Sequence, residues 1–343
     1  MGRSVYRRSA PLNEETPLTT DSTITLDGVS VPLSRLVLGT MTFGDTVTEA
    51  AAHEVFEAAV AAGITGIDTA NGYAKSTTES LISPLVKKHR DRIVLATKAG
   101  MPHADAGEHS PLSAAGLRAS VEGSLRRLDV ESIDLFYLHQ PDRAASLDET
   151  LETIAALRAE GKITALGISN FAAWQAVDVI AAAERAGAPS PVVAQNVYSV
   201  LARRIEDEWL ECGQSHGIAT MAYNPLAGGL LARRPSTDGT GDRFSGSVLA
   251  EMYSQRYLSD SVLASVEAFA AVGDDSGIPQ AELALRWVAE APGISALLLG
   301  ASRVSQLEGN IAAIAKGPLP ADVLTAVDDA TAAIRGSQPK YNR

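Results

Sequence analysis

The chain has 343 residues, a formal net charge of -12 and an isoelectric point near 5. This acidic balance disfavours nucleic acid or an anionic membrane as the main partner and favours a small ligand. The single cysteine, Cys212, cannot form an intramolecular disulfide. No apolar stretch reaches the roughly 18 residues that span a bilayer, and the first thirty residues lack the apolar core of a secretory signal. We therefore expect a cytoplasmic protein.

The N-terminal segment, residues 1–23, is polar and lacks the periodicity of a helix or strand, so it is predicted to be a disordered tail. ITLDGVSVPL (24–33) places two short β-prone runs around Asp27-Gly28, which predicts a small hairpin. From there to residue 336 the pattern is continuous. We predict one domain over 24–336 and a short C-terminal tail over 337–343.

Eight short apolar runs alternate with eight segments of helical spacing, and several of these segments end at a glycine, as helices prefer. The runs are SRLVLGT (34–40), ITGIDTA (64–70), RIVLATKAG (92–100), SIDLFYLHQ (132–140), ITALGISN (163–170), VVAQN (192–196), IATMAYNP (218–225) and ALLLGAS (296–302). Eight βα units that close on themselves form a TIM barrel, an α/β fold written (β/α)8. The alternative is an open, doubly wound sheet, for which the G-x-G-x-x-G motif is missing.

A TIM barrel places its chemistry at the carboxyl ends of the strands. Nearly every predicted strand ends in a polar residue. Asp68, Lys98 and His139 close three successive strands. Because a buried charge without a partner is costly, we expect these side chains to meet at one mouth of the barrel.

The motifs resemble, in order and spacing, those of the aldo-keto reductases over about residues 30 to 335. They are GIDTANGY with ESLI, ATKAG, IDLFYLHQPD, GKITALGISNF, AQNVYS, YNPLAGGLL and LGASRVSQLEGN. The form of the last two is similar to the branch that contains bacterial general reductases and potassium-channel β subunits. The resemblance implies a (β/α)8 barrel that binds NADP(H) and reduces small carbonyl compounds.

Reduction of a carbonyl group needs a proton donor for the oxygen while hydride reaches the carbon. Tyr73 is the predicted donor, and the ammonium of Lys98 is predicted to lower its pKa. Asp68 is expected to pair with Lys98, and His139 to donate a hydrogen bond to the carbonyl oxygen. These four residues match the catalytic tetrad of the family position by position.

The resemblance also assigns cofactor contacts. Ser169, Asn170 and Gln195 correspond to the residues that bind the nicotinamide carboxamide, and Tyr223 to the ring that stacks on the nicotinamide. The small residues of NPLAGGLL, Gly228 among them, let backbone N–H groups approach the pyrophosphate. The other predicted cofactor contacts are Gly39, Thr40, Met41, Asp68, Asn224, Pro225, Leu226, Gly300, Ser302, Arg303, Gln306 and Asn310.

Two segments are predicted to lie along the cofactor. Residues 231–258, with Arg233, Arg234, Arg243 and Arg256, are interpreted as a strap over it, or as a solvated loop with surface arginines. After the eighth strand, Gly300, Ser302 and Arg303 suit a 2′-phosphate at a helix N-terminus. The alternative is that Ser302 only caps the helix and Arg303 points to water.

The chain departs from the family pattern in two places. Ser76 stands where the motif Y-x-x-G-x-x-E has glycine, and Gly309 precedes Asn310 where glutamate is usual. In MPHADAGEH the residues His103, Asp105, Glu108 and His109 fit no standard metal spacing. We predict no metal site and interpret them as solvated loop residues.

The predicted function is NADPH-dependent reduction of an aldehyde or ketone. One alternative is a keto-sugar reductase of secondary metabolism, because the polar segment 101–111 could contact hydroxyl groups. Another is a cofactor-binding regulatory subunit with little turnover. The oligomeric state is left open by the sequence.

Overall fold

The computed structural model describes residue 18, residues 22–233, residue 244 and residues 246–335. Eight parallel strands form a closed barrel, in which the last strand pairs with the first through Leu297 and Leu36. This closure confirms the TIM barrel and excludes the open sheet. In chain order the strands are β3 (Leu36–Gly39), β4 (Gly66–Asp68), β5 (Val94–Ala99), β6 (Ile133–Leu138), β7 (Ile163–Ser169), β8 (Pro191–Val197), β9 (Ala219–Tyr223) and β10 (Ala296–Leu299).

The predicted N-terminal hairpin is present. Strand β1 (Thr23–Ile24) pairs antiparallel with β2 (Leu33–Ser34), and a turn at Asp27-Gly28 gives Gly28 a φ of +78°. Its apolar residues pack against inward-facing residues from the first halves of the barrel strands, including Val37 and Val94. The hairpin therefore closes the amino-terminal end of the barrel, which leaves the opposite end available for chemistry.

All eight predicted helical segments are helical. The helices are α1 (Glu49–Ala61), α2 (Thr78–His89), α3 (Ala114–Leu128), α4 (Leu147–Ala159), α5 (Ala173–Ala186), α6 (Trp209–His216), α9 (Gln280–Ala289) and α10 (Val304–Ile314). Thr48 and Ser113 cap α1 and α3 with their hydroxyl groups. Gly187 and Gly217, which end α5 and α6, adopt the left-handed conformation that favours glycine at helix ends.

Among the described residues, four further helices were not predicted. Helix α7 (Ala250–Tyr257) lies inside the segment that was interpreted as a strap, and α8 (Asp260–Ser276) follows that segment. The other two, α11 (Ala321–Ala330) and α12 (Ala332–Arg335), lie near the C-terminus. Arg234 and Arg243 of that segment fall outside the described residues.

The described residues test the limits of the two predicted tails only in part. Leu18, inside the predicted N-terminal tail, is 1% exposed and packs in the main core cluster. Thr23 already pairs with Ser34. The predicted C-terminal tail, 337–343, lies outside the described residues. Among the residues that are described, no helix is long and apolar enough to cross a membrane.

Candidate active site

The carboxyl ends of β4, β5 and β6 bring the predicted catalytic side chains together. Asp68 is the last residue of β4, Lys98 lies one residue before the end of β5, and His139 directly follows β6. Tyr73 begins a single 3₁₀ turn, Tyr73–Ser76, in the loop between β4 and α2. Because the three strands are neighbours in the barrel, their side chains lie at one corner of its mouth.

Lys98 is the centre of this corner. Its ammonium donates hydrogen bonds to Asp68 Oδ1, to the carbonyl oxygen of Thr69 at 2.8 Å and to the Tyr73 hydroxyl at 3.1 Å. Nζ also lies 4.9 Å from the centre of the Tyr73 ring. Gln195 Nε2 donates to the second oxygen of Asp68 at 2.9 Å. Lys98 and Asp68 are fully buried, so each charge depends on these protein partners.

The environment fixes the protonation states of the corner. Burial lowers the pKa of Lys98, but the charge of Asp68 and the bonds to Asp68 and Tyr73 raise it above its usual value. Burial raises the pKa of Tyr73, and the Lys98 ammonium opposes this rise without cancelling it. The prediction of a lowered phenol pKa is therefore wrong for the net shift, because loss of hydration outweighs the neighbouring positive charge.

His139 faces Tyr73 across the mouth. The two rings are 6.2 Å apart and nearly perpendicular. Burial, with a smaller contribution from Lys98, lowers the pKa of His139 to about 3. The imidazole is therefore neutral at physiological pH and carries one N–H. Its buried Nδ1 atom has no hydrogen-bond partner among the described residues, so the ring has capacity left for a ligand.

The residues expected to contact the nicotinamide form a second bonded group. Ser169 Oγ donates to the Gln195 carbonyl oxygen, and Asn170 Nδ2 donates to Ser169 Oγ and to the His139 carbonyl oxygen, each at 3.0 Å. The Tyr223 hydroxyl donates to Asn170 Oδ1 at 2.7 Å. Asn170 holds a left-handed backbone conformation, with φ of +60°. Four strand ends are thus tied together beside the Lys98 corner.

The loop after β9 is held by residues from α7, of which the sequence indicated only Arg256. Asn224 Nδ2 donates to the Tyr257 hydroxyl at 2.7 Å, while Asn224 Oδ1 accepts from Gly228 N at 2.8 Å. Arg256 lies near Tyr223, where its positive charge opposes the rise that burial causes in the pKa of the Tyr223 hydroxyl. A side chain at Gly228 would come within 2.7 Å of the Tyr253 ring, so the small residue is required here. Only the tertiary fold shows these pairs.

Helix α7 is joined to the opposite side of the mouth. Asp45, in the loop after β3, accepts hydrogen bonds from Ser247 Oγ at 2.5 Å and from Val248 N at 3.2 Å. The described part of the predicted strap therefore crosses toward the first βα loop. Of its arginines, Arg233 and Arg256 are both exposed.

The segment after β10 has few protein contacts. Ser302 N and Oγ both donate to Gln306 Oε1, at 2.9 and 3.0 Å, and Arg303 is exposed just before α10. Arg303 is the N-cap residue of α10 and no side chain caps this helix, so the alternative in which Ser302 caps it is wrong, whereas its expectation of an exposed Arg303 agrees with the structure. Asn310 is buried, yet its Nδ2 has no acceptor within the described part of the chain. A side chain added at Gly300 would meet nothing within 4 Å.

The remaining predicted contacts surround the same mouth. Gly39 ends β3, Met41 is half-buried in the following loop, and buried Thr40 donates its hydroxyl to the Asp68 carbonyl oxygen at 2.9 Å. Pro225 is buried and Leu226 is half-buried in the loop after β9.

The loop 101–111 differs from its interpretation as solvated. The side chains of His103 and Asp105 are only 6% and 14% exposed and are hydrogen-bonded, because polar groups from the Tyr73–Ser76 turn and from α3 face them. Glu108 and His109 are exposed as expected. Within the described residues, no group of three or more His, Cys, Asp or Glu side chains is arranged to hold a metal ion.

The aldo/keto reductase family model matches residues 35–332, which covers the whole barrel. The chain belongs to the aldo/keto reductase family. It is 33% identical over 329 residues to the human aflatoxin B1 aldehyde reductase member 2, covering 91% of this chain and 90% of the relative. Identity to the human aflatoxin B1 aldehyde reductase member 4 is 34%, over 89% of this chain and 96% of that protein. Bacillus subtilis strain 168 has an uncharacterized oxidoreductase, YrpG, that is 34% identical over 82% of this chain and 87% of its own length.

Members of the aldo/keto reductase family use a nicotinamide cofactor, and the residues present fit one. Asn310 offers a buried N–H with no acceptor in the described chain, and Gly300 adjoins open space. Tyr223 and Asn170 provide a bonded surface beside Lys98.

Proposed function

We propose that this aldo/keto reductase reduces an aldehyde or ketone to the alcohol with NADPH, and that Tyr73 is the general acid. The observation that carries the proposal is the position of Lys98, whose ammonium contacts both the Tyr73 hydroxyl and the Asp68 carboxylate. A phenol beside a buried, paired ammonium can release its proton and leave a stabilised phenolate. Relatives named as aldehyde reductases support an aldehyde as the first substrate to test.

When bound, the nicotinamide supplies a hydride to the carbonyl carbon. Tyr73 donates its proton to the oxygen as negative charge develops there. Neutral His139 donates its N–H to the same oxygen and orients the carbonyl group. Lys98 stabilises the phenolate that remains, and Asp68 and Gln195 hold Lys98 in place. Solvent then returns the proton to Tyr73.

The other predicted residues would hold the cofactor. Ser169, Asn170 and Gln195 would bind the carboxamide, and Tyr223 would stack on the ring. Asn310 and Arg303 would bind the adenosine end, where Arg303 provides a counter-charge for a 2′-phosphate. The lone cysteine is consistent with a reducing compartment, and we propose the cytoplasm.

The test is a steady-state assay that follows consumption of NADPH with a panel of aldehydes, simple ketones and hydroxylated ketones. We expect turnover with at least one aldehyde and a preference for NADPH over NADH. Turnover confined to hydroxylated ketones would instead support the keto-sugar reductase. Tight cofactor binding without turnover on any carbonyl compound would contradict the proposal and favour a regulatory subunit.

A further inference from the structure

The turn that carries Tyr73 is strained. The three residues after it have left-handed backbone conformations, with φ of 45° at Ala74, 55° at Lys75 and 75° at Ser76. Such conformations are unfavourable for residues other than glycine and persist only where surrounding contacts impose them. The family motif has glycine at the last of these positions, where this chain has serine. A serine at this position therefore needs a contact that compensates for the strain.

That contact is a histidine from the next loop. Ser76 Oγ lies 2.6 Å from His103 Nε2. His103 Nδ1 lies 3.1 Å from the Asp105 backbone N and 3.1 Å from Asp105 Oδ2, so Asp105 holds the imidazole from its other side. Whichever atom carries the proton between Ser76 Oγ and His103 Nε2, this hydrogen bond holds Ser76 in place.

His103 is itself fixed by a chain of ion pairs that leads to Lys98. Arg127 donates two hydrogen bonds to the Asp105 carboxylate, at 3.0 and 2.8 Å, and a third to Glu79 Oε2 at 2.8 Å. The other oxygen of fully buried Glu79 accepts from Thr97 Oγ1 at 2.6 Å. Thr97 directly precedes Lys98 in β5. The chain thus joins the turn of Tyr73 to the strand of Lys98.

In helix α3, Gly123 leaves room for this series of bonded side chains. A side-chain carbon added at Gly123 would lie 2.3 Å from Asp105 Oδ2, so only glycine allows the carboxylate to reach Arg127. This dense packing keeps the Asp105 carboxylate, and hence the His103 ring, in one position.

We propose that Ser76 and His103 are positioning residues that hold the Tyr73 hydroxyl within hydrogen-bonding distance of Lys98. The proposal rests on the proposed function, in which Tyr73 is the general acid. It assigns to the loop 101–111 a role in catalysis through the His103 contact. Neither residue needs to touch the substrate.

The test compares Ser76→Ala and His103→Ala with His103→Gln, whose amide N–H can occupy the place of Nε2. Loss of one hydrogen bond should lower kcat about 3- to 10-fold with KM within about twofold, because the interaction acts on the transition state. His103→Gln should recover most of the rate. The double variant Ser76→Ala/His103→Ala should be no slower than either single one. Ser76→Gly, which relieves the strained φ while removing the hydroxyl, should show the same loss even if Ser76→Ala folds poorly.

Hydrogen–deuterium exchange provides a readout that does not depend on Tyr73 being the acid. Amides 73–77 should exchange faster in His103→Ala and at the wild-type rate in His103→Gln. Unchanged exchange, a raised KM with unchanged kcat, or equal losses in His103→Ala and His103→Gln would each overturn the proposal. Tyr73→Phe separates the two ideas: full activity in that variant refutes the proposed function, whereas the exchange result on amides 73–77 is unaffected by it.

Discussion

The Lys98 corner and the segment after β10 lie at the same mouth but are built in opposite ways. Lys98 has three acceptors within the protein, and Asp68 accepts on both oxygens. In the other segment Arg303 is exposed, and the buried Asn310 amide has a donor with no acceptor in the described chain. In the first region the charges of Lys98 and Asp68 are paired within the protein, whereas the second region offers donors that a ligand can use.

This difference separates chemistry from binding. A corner whose charges are paired within the protein is already organised for reaction, so changes there should affect turnover and folding. Changes to the unpartnered donors of the segment after β10 should affect only the affinity for an anionic ligand. Variants in each region test whether the two are in fact separable.

The largest effect is expected for Tyr73→Phe. Loss of the general acid should lower kcat by about 10²–10⁴-fold, while the affinity for NADPH stays within about twofold. Steady-state rates and a fluorescence titration of the cofactor measure the two quantities. Near wild-type turnover would show that Tyr73 is not the acid.

Lys98→Met should also remove most turnover, and it should destabilise the protein because Asp68 is left as a buried, unpaired charge. The double variant Lys98→Met/Asp68→Asn is the control, since removing both charges should recover thermal stability but not activity. A double variant that regains the rate would exclude Lys98 from the mechanism.

The pH profile of the reduction tests the protonation states assigned to Tyr73 and His139. The acid must be protonated, so activity is present below the pKa of Tyr73 and is lost as pH rises through it. Because that pKa is raised above 10.0, the rate should stay level through neutral pH and fall only in strong alkali. Neutral His139, with a pKa of about 3, should add no step between pH 5 and pH 8. A midpoint near pH 6.5 in kcat would contradict the assigned protonation states.

For Arg303→Ala we expect a smaller effect that is confined to the cofactor. Charge-assisted hydrogen bonds contribute roughly 1.5–3 kcal/mol, so NADPH should bind about 10- to 150-fold more weakly while NADH binding barely changes. Titration of both cofactors by quenching of protein fluorescence provides the comparison. Equal losses for the two would show that this segment does not bind a 2′-phosphate.

The smallest effect is expected at the link between α7 and the first βα loop. Asp45→Ala removes two acceptors from Ser247 and Val248, and this should speed cofactor release about two- to tenfold without changing the chemical step. Asp45→Asn keeps one acceptor and should fall between the variant and the wild type. Stopped-flow measurement of cofactor dissociation gives the release rate of each variant. An unchanged rate in Asp45→Ala would show that this link does not control release.

Local patterns were sufficient for the barrel and for the corner of the mouth. Periodicity in each βα unit determines strand and helix, and the closed parallel barrel then requires Asp68, Lys98 and His139 to emerge at one end. The helices α7 and α8 were missed because no strand follows α7 to complete the alternating pattern. Their place depends on packing against the barrel.

The sequence by itself determined the fold, the family resemblance and which polar residues reach the mouth, because each depends on the order of residues along the chain. Only the tertiary structure decided how those groups are paired. Ser76 and His103 meet because they lie in the loops after the neighbouring strands β4 and β5, whereas Asp45 and Ser247 meet across 202 residues of sequence. It also decided the direction of the Tyr73 pKa shift, since loss of hydration depends on how deeply a hydroxyl lies and not on which residues neighbour it in the sequence.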